Sequence, residues 1–188
     1  MNLKSKKILI VLVSLFLIQP VKSAEKLFIY QGSFSRAIKI EELYEFQQSK
    51  TKSSKLKSLL KITNQNENDL YKILSYEIKI PLKSSSKLMN SKIGEVFLSR
   101  LSKIIHPNKI SNKKIGTKAI RSGIILGSYK NNEKINLINF FKAYPNKNVA
   151  INLNALRNTL EKAESLKELI EFFSDSPFKK LKDGSSGI

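Results

Sequence analysis

The chain of 188 residues has no cysteine and a single histidine, His106. Without cysteine there is no disulfide, no thiolate zinc site and no cysteine nucleophile, so packing alone holds the fold. No glycine pattern of the phosphate-cradling kind occurs. No apolar run reaches the roughly 20 residues that a membrane-spanning helix needs. Arginine is scarce, confined to Arg36, Arg100, Arg121 and Arg157, and 15 acidic residues face 34 basic ones.

The longest apolar run, "ILIVLVSLFLI" at residues 8–18, follows Lys4, Lys6 and Lys7. Pro20 breaks it, and Val21 and Ser23 occupy the small-residue positions before Ala24. This is the pattern of a cleaved secretory signal over residues 1–23. The expected destination is the periplasm or a thylakoid lumen. The remainder divides into a helical domain at 24–174 and a flexible tail at 175–188. A domain of that size can bury a core of its own.

The formal charge is +19, or +15 without the four lysines of the signal. Such a balance draws nucleic acid, anionic lipid or an acidic polymer. The excess here is scattered lysine rather than the arginine forks that clamp phosphates and bases. Export also argues against nucleic acid. A weak, salt-sensitive contact with an anionic membrane surface or envelope polymer is left as a partner.

Along the mature chain, "LFIY" and "AIKI" flank "QGSFS", which predicts a β-hairpin with Gly32 in the turn. Helical spacing then dominates. Glu41 and Glu42 open a first helix with Leu43 and Phe46 inward. Leu56, Leu59 and Leu60 mark a second, and Leu70, Ile73 and Leu74 a third. "YEIKIPL" alternates like a strand, but Pro81 makes it a loop or an edge. "SSSKLMN" predicts a short helical turn. "NSKIGEVFLSRLSKIIHP" predicts a helix capped at Asn90 or Ser91, burying Ile93, Phe97, Leu101 and Ile104, and stopped by Pro107. "NKISNKKIG" reads as a loop, with a helix over residues 118–130 after it. Gly123 and Gly127 in that helix predict close approach of a neighbour, since glycine inside a helix otherwise costs about 1 kcal/mol against alanine. Asn131 or Asn132 opens a helix ending at Tyr144. "NVAINL" is a short strand that pairs with the hairpin, and the longest helix spans about residues 153–173. The expected fold is mainly α, a compact multi-helix domain with a small N-terminal β-hairpin or three-stranded ribbon.

In this order, "AEKLFIYQGSFSRAIKIEELYEF", "NSKIGEVFLSRLSKII", "AIRSGIILGS" and "INLINFFKAYPNKNVAINL" resemble the N-terminal domain of unknown function found on exported cyanobacterial α/β hydrolases. The resemblance covers about residues 24–160. It implies a stand-alone module, with a hydrolase domain present in longer relatives and not here. An α/β hydrolase places its serine on a G-x-S-x-G elbow, and "GSFSR", "GSYKN" and "GSSGI" all fail that spacing. His106 in "IIHPNK" reads as a helix-end residue favoured by the dipole rather than as a triad base. Neighbouring Glu41 and Glu42 point about 100° apart on a helix and do not converge. No residue set calls for a cofactor or metal.

Two groups of side chains stand out for contact with a partner. Arg100 and Arg121 lie within apolar helices of a chain that otherwise prefers lysine. They read as an anion or partner site between two helices, or as structural arginines pairing with a carboxylate such as Glu95. Phe140, Phe141 and Tyr144 beside Pro145 read as an exposed anchor or as core. The expected role is an exported, non-catalytic accessory or binding module, partnered by an exported hydrolase or another envelope protein. Adhesion of a cationic domain, or a hydrolase with an unrecognised site, are the alternatives.

Overall fold

The computed structural model describes residues 23–110 and 112–162. The expected signal at 1–23, the tail at 175–188 and the far part of the last helix lie almost wholly outside them. The fold is mainly α, with a small N-terminal strand pair. Strands β1 (Lys26–Gln31) and β2 (Phe34–Lys39) form that hairpin. Gly32 takes the turn at φ +58, the left-handed conformation that a two-residue hairpin turn asks of its first central residue.

Helices follow: α1 (Ile40–Ser49), α2 (Ser54–Thr63) and α3 (Glu67–Ser75). A two-residue strand, β3 (Ile78–Lys79), leads into α4 (Leu82–Met89) and α5 (Lys92–Leu101). Next come β4 (Ile105–Pro107), α6 (Lys113–Lys130), β5 (Lys134–Ile135), α7 (Leu137–Ala143), β6 (Asn148–Asn152) and α8 (Leu153–Lys162).

Short polar side chains start most of these helices by accepting the orphan N–H groups of the first turn. Ser53 accepts from Leu56 N–H, Asn66 from Asn68, Ser91 from Gly94, and Asn112 from Lys114. Asn136 accepts from Asn139 and Asn152 from Ala155. The asparagine content thus has local work to do. Helix α4 follows Pro81 and has no such cap of its own. Its Leu82 N–H donates instead to the Glu133 carboxylate at 2.9 Å, from a turn distant in sequence.

"NVAIN" pairs with the hairpin as expected: β6 runs parallel to β1, with Leu27 opposite Val149 and Ile29 opposite Ile151. The sheet order is β2-β1-β6-β4. Its fourth strand corrects the sequence reading. The helix of the "NSKIGEVFLSRL" stretch ends at Leu101, and residues 105–107 pair antiparallel with β6. The residue before a proline is pushed out of the α region, so His106 belongs to a strand and not to a helix end. A further correction concerns "NKISNKKIG", where Asn112 caps a helix from Lys113, making α6 the longest among the described residues. "NNEKIN" also differs. It forms a turn and β5, which pairs with β3, before Asn136 opens α7.

The core lies between one face of the sheet and the helices. Phe46, Leu56, Leu74, Leu98, Ile120, Ile138, Phe141, Tyr144 and Val149 are fully or almost fully buried. Gly123 and Gly127 let α7 and β5 reach the α6 backbone. A Cβ on Gly123 would stand 2.8 Å from Phe140 Cε2, and one on Gly127 would stand 2.6 Å from Ile135 Cδ1. Close approach, anticipated from the two glycines, is their physical reason.

Candidate functional site

The site with the clearest construction is the outward face of α5. Ser91 begins the helix: its Oγ accepts from Gly94 N–H at 3.1 Å and donates to Leu88 C=O at 2.7 Å. That pair of hydrogen bonds ties the end of α4 to the start of α5. Gly94 is buried against the same carbonyl, where a Cβ would lie only 2.0 Å from Leu88 O. Arg121 of α6 braces the corner from below, its Nε donating to Met89 C=O at 2.9 Å. A guanidinium at a helix C-terminus satisfies an orphan carbonyl and complements the helix dipole.

With Gly94 and Leu98 inward, the opposite side of α5 turns to solvent. Ile93 is 70% exposed and Val96 55% exposed. Spacings of three and four residues put both on one face with exposed Arg100. The sequence reading had Ile93 buried, and the structure reverses this. Glycine carries no apolar signal, so the spacing points to Ile93 although the packed residue is its neighbour Gly94. A glycine inside an amphipathic helix was the signal available.

The other flagged residues separate. Arg121 is half-buried and structural, whereas Arg100 is exposed and its side chain has no ion-pair or hydrogen-bond partner among the described residues. Glu95 pairs with neither. Phe140, Phe141 and Tyr144 are not an exposed anchor: all three are buried, and Phe140 packs edge-on against both others at 5.3 and 5.6 Å between ring centres. Phe140 and Tyr144 face Gly123 of α6, where the missing side chain leaves room for both rings, and Phe141 is buried beside Phe140.

Tyr144 is also an electrostatic anomaly. Its hydroxyl is buried and has no hydrogen-bond partner among the described residues. Burial alone raises its pKa well above the usual phenol value. Tyr144→Phe removes an unsatisfied polar group, and should leave stability at neutral pH unchanged or raise it by up to about 1 kcal/mol. A sign follows for alkali. Below about pH 10 both folded and unfolded states hold the phenol proton. Above it the unfolded chain releases that proton first, so stability falls as pH rises. Urea unfolding from pH 8 to 11 should show a steeper loss for the wild type than for Tyr144→Phe.

His106 has a defined setting that the sequence did not reveal. Its Nε2 lies 2.7 Å from Tyr30 Oη, and its Nδ1 lies 3.0 Å from its neighbour's carbonyl, Pro107 O. A carbonyl only accepts, so Nδ1 carries a proton, and in the neutral ring Tyr30 then donates to Nε2. Both ring nitrogens are therefore engaged by a phenol and a backbone carbonyl. In a hydrolase triad they would serve a serine and a carboxylate. The described residues contain no cluster of three or more metal-ligating side chains.

A family model described as alpha/beta hydrolase of unknown function (DUF1400) matches residues 23–152. That is well over half of the chain and takes in every element from β1 to β6. The chain belongs to this family. No curated protein and no solved structure matches it. The DUF1400 match bears out the resemblance to a domain of unknown function associated with α/β hydrolases. Both the α5 face and the Tyr30–His106 pair lie inside the matched region.

Proposed function

We propose that this protein is an exported, non-catalytic accessory module that packs the outward face of α5 against a protein partner, foremost an exported α/β hydrolase. The observation that carries this reading is the exposure of Ile93 and Val96 on a helix whose other side is locked by Gly94, Ser91 and Arg121. Two apolar side chains on a rigid base offer a contact with little ordering cost. Arg100 beside them adds a cation of the type enriched at interface centres. The family match supports a hydrolase as the associated activity. The signal-like pattern of residues 1–23 supports export.

The test is co-purification from a native envelope extract, washed at low and then high salt. An α/β hydrolase retained at high salt is expected, because apolar packing survives screening. Ile93→Asp with Val96→Asp should reduce that retention about tenfold or more. Both positions are exposed, so the double variant should unfold within about 0.5 kcal/mol per site of the wild type. Ester turnover lost on His106→Ala would replace this reading with an enzyme.

The charge favours one rival. The chain carries +19, and lysines outnumber the carboxylates available to pair them. Material that leaves entirely in moderate salt would identify adhesion to an anionic lipid or envelope polymer as the activity.

A further inference from the structure

The sheet ends at β2, whose far side pairs with no strand among the described residues. The hairpin register fixes which backbone groups point outward there. Gln31 and Phe34 flank a two-residue turn, and at the other end Ile40 N–H donates to Glu25 C=O at 3.0 Å. Pairs of the same phase, Ile29 with Arg36 and Leu27 with Ile38, exchange their hydrogen bonds within the hairpin. Ser35 and Ala37 fall in the alternate phase, so their N–H and C=O groups point away from β1. Lys39 shares that phase, but its N–H is taken by Glu42 Oε1. Arg36 lays a guanidinium N–H on Ser35 C=O at 3.1 Å, with its central carbon 4.6 Å above the Phe34 ring. Among the described residues nothing pairs with Ser35 N–H or with either group of Ala37, and residues 35–37 are all exposed.

Helix α2 stands beside this edge, with a groove of about 320 Å³ between them. Ile38 and Leu59, both buried, form its floor. Exposed Arg36 and Lys55 stand at its rim, and Ser54 and Ser58 complete the helical wall. Among the described residues no carboxylate lines it.

We propose that this groove binds an extended acidic peptide segment, which adds to β2 as a fifth strand. Open N–H and C=O groups on an edge strand are the main-chain half of such recognition, and side-chain pockets at alternate positions are the other half. A strand added here sets one side chain across from Ile38 and another across from Arg36. The first meets an apolar floor and the second a cation. Positions 36 and 38 share one face of the strand, so the fitting sequence sets a small apolar residue and an Asp or Glu two positions apart, with a small polar residue between them. A second copy of this chain fits poorly. Antiparallel pairing of two β2 edges would bring Arg36 and Lys55 of both chains to one groove, and like charges directly opposed across strands are destabilising. The surface is separate from the α5 face, so either can fail without the other.

The experiment is fluorescence anisotropy of a labelled Val-Ser-Glu-Ser-Val-Ser-Glu peptide titrated with the full 188-residue chain. A matched peptide carries N-methyl groups on alternate backbone nitrogens, which keeps the charge and removes the strand pairing. Saturable binding of the plain peptide is expected, weakened roughly tenfold or more by N-methylation. Arg36→Glu with Lys55→Glu should weaken it to a similar degree, about tenfold. Equal binding of both peptides would reduce the effect to charge attraction and overturn the proposal. So would the absence of saturable binding at low salt. Self-association of the chain that Ala37→Pro abolishes would assign the edge to a second copy instead. The N-methyl comparison needs no variant, so a misfolded mutant leaves the test intact.

Discussion

Phe141→Ala should lower the unfolding free energy by about 3–5 kcal/mol, read as a shift of the urea midpoint at unchanged slope. The ring is fully buried on α7, edge-on to Phe140 and in one buried cluster with Ile120, Ile138 and Tyr144. Its removal loses the transfer energy of a benzyl group and leaves a void that close-packed neighbours fill only in part. A domain of this size is stable by about 5–15 kcal/mol in total. The variant is therefore expected to sit near the threshold of folding at 37 °C. A loss under 1 kcal/mol would mean that α7 does not pack as described. It would also reopen the exposed-anchor reading of Phe140, Phe141 and Tyr144.

Gly94→Ala is the second large effect, and it works by crowding rather than by loss. The added methyl would meet three backbone atoms: Leu88 O at 2.0 Å, Leu88 C at 2.9 Å and Met89 Cα at 2.9 Å. None can rotate away as a side-chain tip could, so the α4–α5 corner must open. A cost of about 3 kcal/mol or more is expected, at the upper end of overpacking. Gly32→Ala supplies the contrast. Nothing lies within 4 Å of a Cβ there, and only the left-handed φ is strained. That change should cost about 1 kcal/mol. If the order of the two variants came out reversed, the packing of α5 on α4 would be wrong.

Legibility in the sequence tracked how local each cause is. The hairpin at Gly32, the helix starts at Ser91 and Asn66, and the stop near Pro145 depend on neighbouring residues, and the sequence shows them. Pairing of "NVAIN" with the hairpin was also legible, because few other β-rich runs were available to it. Strand β4 was not. Its three residues are too few for a period, and the apolar spacing of α5 runs on through Ile104 into it. The outward turn of Ile93 was hidden for a different reason. Helix orientation here is set by how closely a backbone can approach, and no hydrophobicity pattern records the absence of a side chain. Arg100 and Arg121 drew attention as arginines among lysines. Only the fold separates the brace under α4 from the exposed cation beside Val96.

The parallel pairing of β1 with β6 constrains the order in which the chain can become a protein. Roughly 120 residues separate Leu27 from its partner Val149, so the closing contact is among the most distant in sequence that the domain makes. At about 5–20 residues per second, synthesis would complete the first hairpin many seconds before β6 existed. Until then β1 offers an unpaired edge flanked by Leu27 and Ile29, which later become core. If the chain is exported as proposed, holding it unfolded until it crosses would move that interval to the far side of the membrane, where β1 again arrives before its partner.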